Sequence, residues 1–378
     1  MSGQDIVFDD AVDRPRRPKR LSRRAVLLGG AAAVAGFAVV RVVQEGSAPP
    51  AIADGRFEVP DVSLPVGEFD GLDGISPFTT PVEDHFYIDT ALRKPQLVAE
   101  TYTLTIGGPF VRNPLTLTYD DLLNFEQVTR HVCLACVSNP VGGDLVSNAV
   151  WTGVPLSTLL DEAGIDDPTN PDRQIFSTSV DGYTAGFRLP LAYDGRTAMV
   201  ALLMNGEPLP ALHGFPARLV VAGEYAFNSA TKWLETIEVT DFAEVDGYWI
   251  PRGWAKEAPV KTGSRIDTPS DRAQLTPGTT MIGGVAWAPA HGIERVEVGF
   301  ADAADFSDPD AARWVGAEVS SVDSDETWVQ WRYAWDAPEG DWIIWVRATD
   351  KTGFTQSPVV RPPGGEGAEG FDAATVRA

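Results

Sequence analysis

The chain has 378 residues, with 30 Lys+Arg against 53 Asp+Glu for a formal net charge of −23, and only 2 cysteines, Cys133 and Cys136. That acidity excludes a nucleic-acid-binding surface, which needs Lys and Arg against phosphate, and two cysteines exclude a disulfide framework. The 4 histidines are scattered, none at metal-ligand spacing from another, so no zinc site is expected.

In chain order, the first segment reads as a targeting signal. Arg14, Arg16, Arg17, Lys19, Arg20, Arg23 and Arg24 precede an uncharged run over residues 25–40. That run is shorter than the roughly 20 residues a spanning helix requires and suits the apolar part of a signal peptide. Arg23-Arg24 followed by Ala25-Val26-Leu27-Leu28 has the form of a twin-arginine export signal. Ala51-Ile52-Ala53 offers a cleavage site, but it lies well beyond the run, so an uncleaved anchor stays open. The first 53 residues hold 8 Lys+Arg and 5 Asp+Glu, net +3, which leaves −26 on the remainder. The protein is therefore expected outside the cytoplasm, touching a membrane only through this segment if it is retained.

Residues 54–80 are punctuated by Pro and Gly and read as an extended arm. Alternating stretches predict strands at 101–106 and 115–117. Thr118 with Asp121 is a helix cap ahead of Leu122 and Leu123, and 156–163 reads as a short helix stopped by Gly164. Further short strands are predicted at 174–178, 197–203, 218–222 and 233–239, an α+β pattern with long loops. Beyond Arg265 the composition changes, and 7 of the 11 tryptophans lie past residue 280. There Val296, Val298 and Phe300 form one alternating face and Val329, Trp331, Tyr333 and Trp335 another, followed by a strand over 342–346. Such strands argue an antiparallel sandwich. The expected division is 1–53 for the signal, 54–265 for a first domain and 266–378 for the sandwich, with the Gly-rich tail from Pro362 loosely held.

Cys136 sits in Ala135-Cys136-Val137-Ser138-Asn139-Pro140-Val141-Gly142-Gly143, turn-forming sequence that makes poor core. Three readings compete. A free cysteine is most often a small buried hydrophobe. Cys133-Leu134-Ala135-Cys136 has thiol–disulfide redox spacing, a weak signal standing alone. A single thiolate can also ligate a soft metal whose other ligands come from a cofactor.

Cys136-Val137-Ser138-Asn139, the Gly-Gly pair and Asn148-Ala149-Val150-Trp151-Thr152-Gly153-Val154-Pro155-Leu156 together resemble the ligand loop of the sulfite oxidase family of molybdopterin enzymes. The resemblance continues through Asp84-His85-Phe86-Tyr87-Ile88-Asp89-Thr90-Ala91-Leu92, Met204-Asn205-Gly206-Glu207-Pro208, His213-Gly214-Phe215-Pro216-Ala217-Arg218 and Ala230-Thr231-Lys232-Trp233-Leu234. It implies a sulfite-oxidase-like molybdopterin-binding domain followed by an immunoglobulin-like sandwich of the kind that makes a dimer. It also implies a molybdenum–molybdopterin cofactor with Cys136 as the protein ligand of the metal. Tyr87, Ile88, Asp89, Thr90, Asp181, His213, Arg218, Ala230, Thr231 and Lys232 would hold the pterin and its phosphate. A forked guanidinium and a compact ammonium suit phosphate oxygens.

Four cations, Arg252, Lys256, Lys261 and Arg265, thread the segment after Tyr248-Trp249-Ile250-Pro251. For Lys261 and Arg265 a charged linker is an equal reading. Arg252 and Trp254 are carried over as catalytic residues that complete the substrate pocket. Two departures from sulfite-oxidising members matter. No arginine follows Cys136 closely, and Trp254 stands where those members place a tyrosine. A doubly charged oxyanion wants fixed cations, so the expected substrate is either a small oxyanion or an S- or N-oxide. Without a haem domain, electrons would pass to a separate carrier, a cytochrome or a membrane redox protein. The rivals are a CxxC thiol–disulfide redox protein and a non-catalytic exported binding protein that uses the Trp-rich sandwich.

Overall fold

The computed structural model describes residues 62–276, 278–303 and 308–378. The expected export signal and cleavage site, and the start of the expected arm, lie outside them. Among the described residues no helix is long and apolar enough to cross a membrane.

The first ten strands are β1 (Thr103–Gly107), β2 (Leu115–Thr118), β3 (Val128–Ala135), β4 (Val146–Pro155), β5 (Arg173–Ser179), β6 (Thr184–Arg188), β7 (Ala198–Met204), β8 (Glu207–Pro208), β9 (Arg218–Val221) and β10 (Leu234–Asp241). They form two sheets, ordered β2-β1-β10-β5-β6 and β3-β4-β7-β8, with β9 paired to β7. Three short helices accompany them, α1 (Tyr119–Asn124), α2 (Leu156–Ala163) and α3 (Ala226–Ser229). The cap read at α1 forms as a reciprocal box between Thr118 and Asp121. At the end of α2, Gly164 takes the left-handed conformation at φ 77°. The expectation of α+β is corrected in weight, because strands dominate and the helices are few. The apolar runs that could have grown into helices stop after one or two turns.

The main core lies between these sheets. Leu104, Ile106, Ile237 and Val239 meet Val200, Leu202, Leu219 and Val221 there, with Leu122, Leu156, Leu159 and Leu160 from α1 and α2. β4 is buried along nearly its whole length because both of its faces are covered. That is why it lacks the half-polar alternation by which a strand is recognised in a sequence.

The remaining strands are β11 (Gly263–Thr268), β12 (Ala273–Gln274), β13 (Gly278–Trp287), β14 (Ile293–Asp302), β15 (Arg313–Gly316), β16 (Glu318–Val319), β17 (Trp328–Ala337), β18 (Asp341–Asp350) and β19 (Asp372–Arg377). They build sheets ordered β11-β13-β17-β16 and β12-β19-β18-β14-β15. Ile282, Val329, Trp331 and Trp335 of one sheet share a core with Val296, Val298, Ile344 and Val346 of the other, as face-to-face packing of alternating strands requires. The tail is not loose. Arg361 and Glu369 exchange backbone hydrogen bonds, the Ala255 amide donates to Gly365 O at 3.3 Å, and β19 completes the sheet. Its glycines allow close packing here, where the sequence reading took them for slack.

The arm from residue 62 stitches both halves together. Asp70 accepts from the Phe78 amide at 2.8 Å and from Gln330 Nε2 at 2.6 Å. Arg265, only 4% exposed, spans three pieces of chain. Its Nε donates to Asp267 Oδ1 at 2.7 Å, one terminal nitrogen to Gly143 O at 2.8 Å, and the other to Ser76 Oγ at 2.8 Å. Arg265→Met would take the guanidinium from a buried ion pair and two further acceptors. Breaking a buried pair from one side costs about 3–5 kcal/mol. Urea unfolding should show a loss of that size, with little recovery in Arg265→Lys, whose single ammonium cannot span the three acceptors.

Candidate active site

Where β3 ends, the chain folds into a loop braced by its own backbone. The Cys136 amide donates to Leu145 O at 2.9 Å and the Asn139 amide to Cys136 O at 3.1 Å. The Leu145 amide donates to Asn139 Oδ1 at 2.9 Å. Gly142 lies at φ 71°, with the Asp372 carboxylate so near that a Cβ would overlap it. The loop is thus seated on β19 as well as on Arg265.

The two cysteines are free and buried. Cys133, Ala135 and Val137 pack with Trp287 and Trp328, whereas Val132 and Leu134 pack with Trp151. Cys136 instead lines a cleft of about 310 Å³. Three residues of extended chain span about 10 Å, beyond the reach of a disulfide, so this CxxC is not a closed redox pair. Burial pushes the Cys136 thiol up, opposed by hydrogen bonds from Ser138.

Two groups of side chains line the cleft. The first is aromatic: Tyr183, Phe227, Trp249 and Trp254 join Cys136 and Ser138. Trp249 and Trp254 stack at 4.2 Å between centroids, and Phe227 meets Trp254 edge-on at 4.9 Å. The Tyr183 hydroxyl donates to Phe227 O at 2.6 Å. Burial, with the neighbouring Cys136, pushes that phenol up.

The second group is polar and basic. Tyr87, Ile88, Asp89, Thr90, Ala230, Thr231, Arg218 and Lys232 form it, with Asp181 and Ser179. Lys232 Nζ donates to Asp89 Oδ2 at 2.8 Å and to Leu212 O at 3.2 Å. Burial brings its ammonium down to about 8 against the support of Asp89. Arg218, 5% exposed, donates to the carbonyls of His213 at 3.0 Å, Ala230 at 3.3 Å and Leu219 at 3.4 Å. No carboxylate among the described residues pairs with it. Burial brings it down to about 9.

Two residues read from the sequence lie off the wall of the cleft. Arg252 ends a short 3-10 turn, is exposed, and stacks its guanidinium on Tyr248 at 3.7 Å. His213 sits behind, its Nε2 paired with Val82 O at 3.1 Å and its ring 5.4 Å from that of His85. His85 lines the cleft and was not singled out as a site residue, nor were Ser138, Ser179, Tyr183, Phe227 and Trp249. Ser138, Tyr183 and Trp249 come from loops, Ser179 from the end of β5 and Phe227 from the single turn of α3, none of which gives a periodic cue. His85 lies inside a matched motif and could have been found there.

Residues 91–249 match the family model described as an oxidoreductase molybdopterin binding domain. Mitochondrial sulfite oxidase of Drosophila melanogaster is 31% identical over 226 residues, covering 54% of this chain and 38% of that protein. Residues 91–249 are thus similar to the molybdopterin-binding domain of the sulfite oxidase family of molybdopterin-dependent oxidoreductases. Nitrate reductase [NADPH] of Phytophthora infestans is 33% identical over 189 residues, 44% of this chain and 20% of that one. The chain thus spans less than half the length of these relatives. The structure of the sulfane dehydrogenase SoxCD from Paracoccus pantotrophus superposes with a TM-score of 0.67 at 23% identity, covering 79% of this chain and 81% of that one. This is a likeness of fold.

The cofactor of this family is molybdenum–molybdopterin, and the cleft fits it. Its volume lies at the lower end of ligand-pocket sizes. Arg218 is a buried cation without an anion, which is costly until one arrives. His85 Nε2 and His213 Nδ1 are buried without a hydrogen-bond partner. A thiol able to ligate a soft metal and two buried cations able to meet phosphate oxygens share one cavity, which suits the two chemical ends of such a cofactor.

Arg218→Met should therefore lower cofactor retention tenfold or more, about 1.4 kcal/mol or above, while leaving the unfolding midpoint of cofactor-free protein nearly unchanged. Metal analysis and calorimetry on the same samples check both. Burial brings His213 down to about 3, with Arg218 and Lys232 adding to the shift. A folded-state value below the unfolded 6.5 gives stability that is present above 6.5 and lost as pH falls toward 3. His213→Gln should therefore gain stability relative to the parent between pH 7 and pH 5, read from paired unfolding curves.

Proposed function

We propose that the chain is an exported oxo-transfer oxidoreductase that acts on a neutral S- or N-oxide, or on the matching sulfide or amine in reverse. The observation that carries this reading is the aromatic lining beside Cys136. Among the described residues, Arg218 and Lys232 are the only Arg or Lys side chains lining the cleft, and both belong to the basic group suited to phosphate. A dianion such as sulfite would leave water for indole and phenyl faces with Asp181 in the same cleft, and no fixed cation would repay its desolvation. A polar but uncharged S=O or N–O group loses far less.

When bound, the molybdenum centre supplies two-electron exchange coupled to movement of one oxygen atom. Cys136 would hold the metal, and Arg218, Lys232 and His85 would fix the pterin and its phosphate. Tyr87, Ile88, Asp89, Thr90, Ala230 and Thr231 would shape the wall. Trp249, Trp254 and Phe227 would orient the substrate and exclude bulk water, which strengthens every polar contact inside. Tyr183, whose hydroxyl is committed to Phe227 O, would brace this wall. In the reducing direction, R₂SO with two electrons and two protons gives R₂S and water. The electrons come from a separate one-electron carrier, a cytochrome or membrane redox protein. The twin-arginine signal supports export after folding around the cofactor. The sandwich of β11–β19 is of immunoglobulin-like character and suits a dimer contact.

Steady-state assays of cofactor-loaded protein decide the substrate class. The proposal expects kcat/KM for dimethyl sulfoxide or an aryl sulfoxide to exceed that for sulfite by about tenfold or more. It also expects Trp254→Ala to raise KM for the sulfoxide. Sulfite oxidation as the faster reaction would overturn it.

A further inference from the structure

Cys136 also borders a second, smaller hollow on the side facing the sandwich. Its volume of about 30 Å³ holds roughly two ordered waters. Its walls are the thiol loop from Ala135 to Gly142, Tyr225, and Lys261, Gln356 and Glu369 from the segments beyond. Lys261 carries the cation of this lining, and that cation is already engaged. Its Nζ donates to Glu369 Oε1 at 2.7 Å and to Gly367 O at 3.4 Å. The other oxygen of Glu369 lies 3.3 Å from Arg361.

The pair is held from both sides. The Val260 amide donates to Gly223 O at 2.9 Å, fixing the segment that bears Lys261, and Glu369 is paired to Arg361 through the backbone. Gly367, at φ 84°, comes so close to the Tyr225 hydroxyl that a Cβ would overlap it. The Tyr225 oxygen in turn accepts from the Lys261 amide at 3.4 Å. The carboxylate is therefore placed by the fold beside an ammonium that shares the hollow with the thiol.

We propose that Glu369 is a specificity-determining residue. By holding Lys261 in an ion pair, it keeps small anions away from Cys136 on this side and leaves the hollow to water and uncharged solutes. Its consequence for substrate choice rests on the oxo-transfer reading; the charge it sets at the thiol does not.

The test uses cofactor-free protein first. Cys136 is alkylated with iodoacetate and, separately, with neutral iodoacetamide at one pH, and the label is located by peptide mass. The ratio of the two rates reports the potential at the sulfur, because the thiolate fraction cancels. Glu369→Gln should raise that ratio about threefold or more and Lys261→Met should lower it. Glu318→Gln, a carboxylate on the distant strand β16, should leave it unchanged. In loaded protein, Glu369→Gln should lower KM for sulfite severalfold with KM for dimethyl sulfoxide and both kcat values held. A ratio indifferent to Glu369 and Lys261 would overturn the proposal. A ratio that moves in protein that transfers oxygen to neither substrate would sustain the charge assignment and overturn the oxo-transfer reading instead.

Discussion

Arg265 lies where three stretches of chain meet, and its five donors tie them into one body. Gly143 belongs to the thiol loop, Ser76 to the arm, and Asp267 to β11 of the sandwich. A loop of small residues has little apolar surface with which to hold itself in place, and ordering each residue costs roughly 1–2 kcal/mol. The guanidinium, together with Asp372 against Gly142 and the internal bond from Leu145 to Asn139, offsets that cost with directional contacts. The thiol is consequently set by the second half of the chain as much as by the first. The two cores are thereby coupled at the point where the chemistry is placed.

Charge is unevenly distributed over this acidic protein. The buried cations Arg218 and Lys232 share one cleft, and the first has carbonyl dipoles for partners but, among the described residues, no carboxylate. Such a site is unfavourable when empty and rewards an anion with phosphate geometry, so binding energy and folding energy are linked through the cofactor. Beside the thiol the lining turns aromatic, and Lys261 in the hollow on the sandwich side is already paired. On the proposed reading, cations placed for the phosphate and absent from the substrate approach would give the cleft opposite preferences for its two occupants.

The sequence made some of this legible. The capping box at Thr118 and Asp121, the stop at Gly164 and the alternating Trp-rich strands follow from local rules, and the structure has them. The separated motifs around Cys136, His213 and Lys232 pointed to one pocket, and Cys136, Arg218 and Lys232 line one cleft with His213 behind it. Other features could not be read locally. β4 and the second half of β3 are buried on both faces and so lose alternation. Arg265 was as much a linker residue as a site residue, because its partners Gly143 and Ser76 lie 122 and 189 positions away. Arg252 is two residues from Trp254, yet the turn that ends at Gly253 (φ 91°) leaves it on the surface. Glu369 sits in a tail whose glycines suggested slack.

The central claim is that the Cys136 sulfur binds the metal of the cofactor. Molybdenum X-ray absorption on loaded parent protein and on Cys136→Ser tests it most directly. The account predicts that the variant keeps its pterin-bound metal, through Arg218 and Lys232, but has one sulfur fewer in the coordination shell. An unchanged number of sulfur neighbours would contradict it.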